Sequence, residues 1–141
     1  MSYDESCIFC KIVHEKAPAS ILYQDETVMA LLDIRPLNEG HTLVIPKKHY
    51  VDIFDIPENQ LTHVYEIAKQ VSVAIKKATN GDGISIVQQN GKAAGQEIFH
   101  LHVHVVPRFE GQSLPPFSAL KELDRAKLEA VAKKIRRQLK T

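Results

Sequence analysis

The stretch His100-Leu101-His102-Val103-His104-Val105-Val106-Pro107-Arg108 alternates imidazole with aliphatic side chains, and the remainder of the chain can be arranged around it. Successive side chains of a β-strand leave opposite faces. A strand over 99–106, stopped by Pro107, turns His100, His102 and His104 to one face and Leu101, Val103 and Val105 to the other. Neighbouring imidazoles then stand about 6–7 Å apart at the Cα level. Three of the chain's seven histidines are aimed at one patch, which is not the pattern of isolated core or surface histidines. Two chemistries use such a row. Neutral imidazole is the commonest metal-binding side chain. Alternatively, one imidazole attacks phosphorus while its neighbours donate hydrogen bonds to phosphate oxygens.

Outward from this strand, 84–88 reads as a second strand and 91–95 as a glycine- and alanine-containing loop. Residues 20–23 and 27–33 are β-rich runs joined by Gln24-Asp25-Glu26, the pattern of a hairpin. Pro36, Asn38 and Gly40 mark a loop before a buried-looking strand, Thr42-Leu43-Val44-Ile45, ended by Pro46. Asp55-Ile56-Pro57-Glu58 has the form of a capping box, with Asp55 as cap. Beyond it Leu61, Val64, Tyr65, Ala68, Val71, Ser72, Ile75 and Ala78 recur at helical spacing up to Asn80-Gly81. Ile67, Val73 and Ala74 widen the apolar face, which suits either a broad core stripe or contact with both a sheet and another subunit. A terminal helix is expected over 120–139, with Leu128, Val131, Ala132, Ile135 and Leu139 on one side. No βαβ alternation is evident. The expected class is α+β: about five antiparallel strands, a long central helix and a C-terminal helix.

A length of 141 residues suits one domain, 1–141, with a core over 7–108 and a helical extension at about 118–140. Hydrophobic residues at 44% and charged residues at 25% are the balance of a soluble globular protein. A formal net charge of +1 provides no global field for nucleic acid or an acidic membrane. No apolar run approaches the ~20 residues that span a bilayer. Met-Ser-Tyr-Asp-Glu-Ser is acidic where a secretory signal is basic and then apolar, so the cytoplasm is the expected compartment. Lys133, Lys134, Arg136, Arg137 and Lys140 read as a solvated helix face near a C-terminus that favours cations, with a nucleic-acid patch as the alternative.

The two cysteines, Cys7 and Cys10, form a Cys-x-x-Cys pair. In a reducing compartment it reads as metal ligands or a redox couple. A thioredoxin-type redox motif follows a strand and opens a helix, and nothing places a strand before Cys7. The metal reading leads, and it requires ligands from elsewhere.

The triad strand, taken with Leu31-Leu32-Asp33-Ile34-Arg35-Pro36, Gly40-His41-Thr42-Leu43-Val44-Ile45-Pro46-Lys47-Lys48-His49 and Ala94-Gly95-Gln96, resembles the blocks of the histidine triad family in their usual order. The resemblance covers about 7–108; the tail beyond Phe117 has no counterpart. It implies a nucleotidyl hydrolase or transferase working through a covalent nucleotidyl-histidine intermediate. His102 matches the family nucleophile and His104 the residue that contacts the α-phosphate. Gln96 matches a polar residue near the scissile linkage, and Asp33 the acidic residue that accepts hydrogen bonds from the ribose hydroxyls. A carboxylate offers two acceptors to a diol's two donors. Asn90 and His41 match positions lining the same pocket, His41 among the catalytic group.

Bacterial members, and the related galactose-1-phosphate uridylyltransferases, carry a zinc site of the same kind. Carried over, its ligands are Cys7, Cys10, His49 and His100, with His14 as a local rival. Two thiolates and two imidazoles close a tetrahedral shell, the structural pattern for zinc. The chemistry would then fall to His102, with counter-charge to the phosphate from protonated imidazoles and backbone amides. The resemblance also implies a homodimer and a purine nucleotide substrate. Two branches fit. A Hint-like branch hydrolyses nucleoside phosphoramidates of the AMP-amine type, and Lys47-Lys48-His49 leans that way. A Fhit-like branch cleaves dinucleoside polyphosphates, and Ala94-Gly95-Gln96 and Pro107-Arg108 lean that way. Glu97 stands where many Hint-like proteins have a serine. From another class, a zinc-stabilised nucleotide-binding module with little turnover would need the same ligands and Asp33 but not His102.

Overall fold

The computed structural model describes residues 3–115 and 120–139. Five antiparallel strands, β1 Ile21–Gln24, β2 Val28–Leu32, β3 Thr42–Pro46, β4 Gly83–Gln88 and β5 Val103–Arg108, make one sheet in the order β1-β2-β3-β5-β4. Among the described residues three α-helices accompany it, α1 Ile8–Val13, α2 Glu58–Thr79 and α3 Arg125–Leu139, with a 3-10 turn at Lys92–Ala94. The expected α+β class is observed, with the hairpin 21–32 and the long helix where the periodicities put them.

Alternation along the strands separates two apolar layers. Val28, Ala30, Leu32, Val44, Val103 and Val105 pack with Val64, Ile67, Ala68, Val71 and Ile75 of α2 and with Leu128, Ala132 and Ile135 of α3. Met29, Leu31, Leu43 and Ile45 leave the other face and pack with Cys7, Phe9, Cys10 and Ile12. Both central strands are thus buried along their whole length. The wide face of α2 has a plain origin: Ile67 and Ala74 lie in the core beneath the sheet and α3, whereas Val73 and Tyr65 stay exposed.

Several local expectations are corrected. Asp55 does not cap α2; its Oδ2 accepts from the Val51 N–H, and Pro57 occupies the cap position with no side-chain bond. The ring of Pro57 fixes φ at −65°, which suits the entry to a helix, and its carbonyl accepts from the Gln60 and Leu61 N–H groups. The helix ends at Asn80 in the left-handed conformation, which asparagine tolerates. Pro107 does not stop its strand, because β5 runs on to Arg108, with Pro107 paired opposite Ile84. Pro46 does end its strand as expected, being the last residue of β3 and paired opposite Val28. Strand β5 also begins later than expected, at Val103. The Leu101 N–H bonds the Tyr50 carbonyl at 2.7 Å instead of a ladder partner, which takes 99–102 out of the sheet.

The terminal helix begins at Arg125. Residues 120–124 lie across the end of β2, where the Leu123 N–H donates to the Ile34 carbonyl at 2.7 Å. Positions 118, 119 and 140 of the expected extension, with Lys140, lie outside the described residues. On α3 the Arg136 Nε donates to the Ile21 carbonyl and its guanidinium pairs with Glu129, while Lys134 approaches Glu39. These cations are in part spent on local contacts. Gly40, at φ +99°, turns the loop 33–41 into β3 where a Cβ would come within 3.1 Å of the Thr79 methyl.

Candidate functional site

On the α1 side of the sheet the end of β5 opens into a cleft. Its apolar wall comes from Ile8, Phe9 and Ile12 of α1, Leu31 and Leu43 of the sheet, and Ile34, Ile98 and Leu120 of the loops. Asp33, Arg35, Gln89, Glu97, His102 and His104 supply its polar groups. His102 immediately precedes β5 and His104 lies within it, and their ring centroids are 4.9 Å apart. His102 remains 9% exposed, enough to meet a ligand in the cleft.

The hydrogen bonds assign each ring's tautomer. His102 Nδ1 lies 2.8 Å from the His100 carbonyl, which can only accept; Nδ1 therefore holds the proton and Nε2 the lone pair. His41 Nδ1 accepts from the Leu37 N–H at 3.0 Å, so its proton sits on Nε2. That nitrogen is 3.0 Å from His104 Nδ1, which must accept, leaving His104 with an Nε2–H donor. His41 is fully buried and acts one layer behind His104, outside the cleft's lining. Burial pushes His41 down to about 4 and, helped by the neighbouring imidazoles, His104 to about 3. Burial also lowers His102, against the pull of its bond to the His100 carbonyl and the Glu97 charge. The rings are thus neutral near pH 7. The expected protonated imidazoles are replaced by neutral rings whose N–H positions are fixed.

Asp33 stands at the end of β2. Its Oδ1 accepts from the Arg35 N–H at 2.9 Å and its Oδ2 lies 3.5 Å from His41 Nε2. Burial raises its carboxyl above the ordinary range. Gln96 is buried and wholly engaged: Oε1 accepts from the Gly91 N–H, and Nε2 donates to the Val51 and Ile98 carbonyls. Asn90 Oδ1 accepts from the Ile53 N–H at 2.7 Å and from Gln88. Neither Gln96 nor Asn90 lines the cleft; both fix the loops that do. Phe9, Leu120 and Gln89 enter the wall without any signal in the sequence reading. A six-residue helix is too short to show a period, and Leu120 arrives from a segment without a recognisable block.

Next to the cleft, Cys7, Cys10, His49 and His100 bring their donor atoms within 4.8 Å of one another. Cys7 N-caps α1 and Cys10 lies in its first turn, so the helix sets the pair. The Sγ–Nδ1 separations are 3.3 Å for Cys7–His100, 3.4 Å for Cys10–His49 and 3.7 Å for Cys10–His100. Zinc bond lengths at the tetrahedral angle give a sulfur–nitrogen edge of about 3.6 Å. Backbone N–H groups of Asp4 and Cys10 point at Cys10 Sγ and Cys7 Sγ, each at 3.4 Å, as thiolates require. His100 Nε2 donates to the Pro46 carbonyl at 2.8 Å, which leaves Nδ1 as the ligand atom. Without a cation, burial pushes the Cys10 thiol up to about 11. The donor set fits a tetrahedral zinc. The rival His14 instead stacks edge-on to Tyr3, its ring 4.5 Å away. A second grouping, Asp33, His41 and His104, belongs to the cleft and its hydrogen bonds.

A HIT domain model matches residues 14–111. An uncharacterised HIT-like protein of Methanocaldococcus jannaschii is 44% identical over 131 residues, 92% of this chain and 98% of its own. Adenylylsulfatase HINT3 of Arabidopsis thaliana is 41% identical over 108 residues, 77% of this chain and 55% of the plant protein. A zinc-bound histidine triad family protein of Mycobacterium smegmatis superposes with a TM-score of 0.85 at 40% identity, covering 96% of this chain and 94% of that one. The ordered histidines at the head of β5, the zinc-shaped donor set beside them and these matches have one reading: the chain belongs to the HIT domain, or histidine triad, family.

Proposed function

We propose that the protein is a nucleotidyl hydrolase or transferase acting on purine nucleotide conjugates of the AMP-amine type, with His102 as nucleophile. The observation that carries this is the Nδ1–H of His102 committed to the His100 carbonyl, which leaves a neutral Nε2 lone pair beside a second ring fixed as a donor. Nε2 attacks the α-phosphorus, the bond to the leaving group breaks, and a nucleotidyl-imidazole forms. Water then attacks the phosphorus and the electron pair returns to Nε2. His104 offers its Nε2–H to a non-bridging oxygen, a donor preset before charge develops. His41 is a positioning residue that fixes the His104 tautomer. Asp33 takes the ribose diol, and Phe9, Ile34 and Leu43 flank the base.

Zinc held by Cys7, Cys10, His49 and His100 would have a full protein shell, so its part is structural. We read 1–141 as a single histidine triad domain that works as a homodimer, in the cytoplasm, without nucleic acid or membrane as partner. Among the described residues no helix is long and apolar enough to cross a membrane. The plant relative's name, adenylylsulfatase, makes adenylyl sulfate a second substrate to test beside dinucleoside polyphosphates.

The test is rapid quench with an α-³²P-labelled adenosine phosphoramidate. Wild type should yield protein-bound label that is acid-labile and maps to His102, and His102→Ala should trap none and lose activity by orders of magnitude. Unimpaired turnover by His102→Ala overturns the mechanism. Saturable nucleotide binding with no turnover by wild type would support the binding-module reading instead.

A further inference from the structure

The charges that line the cleft are unevenly placed. Asp33 and Arg35 stand at its β2 end, where Arg35 also reaches towards Glu122 at 4.0 Å. At the His102 end, Glu97 is the single carboxylate among the described lining residues, and no lysine or arginine lines that end. An acidic group is an odd companion for a nucleophile that must receive a phosphate, since like charges repel. Its backbone position is held by the two residues before it. Gly95 takes a φ of +94°, and a Cβ there would meet Gln89 Nε2 at 2.6 Å. The Gln96 side chain turns inward and is clamped to Gly91, Val51 and Ile98. Glu97, the next residue, is exposed and lines the cleft. Glu97 and His102 thus line the same cleft.

We infer that Glu97 sets leaving-group selectivity, favouring an amine that departs as an ammonium ion over sulfate or a polyphosphate. This rests on the nucleotidyl-transfer reading above. As His102 Nε2 bonds to phosphorus, the P–N bond breaks with its electron pair on nitrogen. The nitrogen takes up two protons from solvent, one as the bond breaks and one as the amine departs, and leaves as a positive ammonium ion. The Glu97 carboxylate accepts a hydrogen bond from that ammonium and keeps its own protonation state unchanged. An anionic leaving group gains nothing there and is repelled.

The experiment compares kcat/KM of wild type, Glu97→Gln and Glu97→Asp on adenosine 5′-phosphoro-N-alkylamidate and on adenylyl sulfate, each protein's melting temperature being matched first. Glu97→Gln removes the charge while keeping the shape. It should lower the amidate value about fivefold, the scale of one half-solvated charge pair, and hold or raise the sulfate value. Glu97→Asp should restore part of the preference. Equal losses on both substrates, or no change on either, overturn the assignment while a His102 adduct still forms. Cleavage of neither substrate by wild type, with no adduct at His102, overturns the nucleotidyl reading and this inference with it.

Discussion

The Nδ1 proton of His102 is committed to a carbonyl two residues back, and His104 is fixed by a relay that begins at the Leu37 N–H and passes through His41. The imidazole row was legible in the sequence because strand alternation is a property of covalent geometry. The relay was not, because Leu37, His41 and His104 meet only when β3 pairs with β5. Gln96 shows the same limit. Its motif placed it at the site, but its amide is consumed by three backbone groups, so it shapes the loop and stays out of the cleft. Asp33 lines the cleft while its Oδ1 accepts from the Arg35 N–H. If it holds the ribose diol, Asp33→Asn should weaken ribonucleotide binding by about 1.5–3 kcal/mol, the worth of hydrogen bonds to an ionised group. Binding of 2′,3′-dideoxy analogues should hardly change, and titration calorimetry on both sugars checks it. Equal losses would mark a folding defect.

Helix α1 is the element that sequence reading missed, and its stability has an unusual origin. Six residues are too few for a helix to persist alone. Phe9, Cys10 and Ile12 are buried against Met29, Leu31, Leu43 and Ile45, and the Cys7 thiol caps the first turn. Bound zinc would add a tether from Cys7 to His100, 93 residues away, where closure of a long loop restricts the unfolded chain. Cys7→Ala should therefore lose most bound zinc by atomic emission. A loss of about 2 kcal/mol would lower the melting temperature by roughly 5–10 °C in a protein of this size. Turnover per folded molecule should remain measurable, since His102 makes no contact with the metal on this reading. A folded zinc-free protein without a chemical step would make the metal catalytic. Zinc-free wild type of full stability would remove the site altogether.

At the scale of the whole molecule the sheet ends at β4, an edge strand on which Ile86 is exposed, and Val73 and Tyr65 are exposed on α2. The Ile53 N–H bonds Asn90 just beyond β4, which brings Phe54, 87% exposed, to the same end of the molecule. An open edge beside exposed apolar side chains is a surface that proteins usually cover. We expect a homodimer built on it. Sedimentation equilibrium at micromolar concentration should give twice 15.9 kDa, and a monomer at that mass would refute it.

The sequence by itself determined the α+β class, the hairpin, the span and end of α2, and that Val103 and Val105 leave the face of β5 opposite His104. All of these follow from local periodicity and from residues that restrict their own backbone. The tertiary structure decided the rest. It chose Pro57 over Asp55 at the head of α2, and it carried β5 through Pro107 while freeing 99–102 to turn towards the cysteines. It also selected His49 and His100 over His14 as neighbours of Cys7 and Cys10, and it set Glu97 beside the nucleophile. Asp55 is drawn off by Val51 only four residues away; the other cases depend on partners tens of residues distant, and pairing across that distance is fixed by packing, which no local pattern encodes.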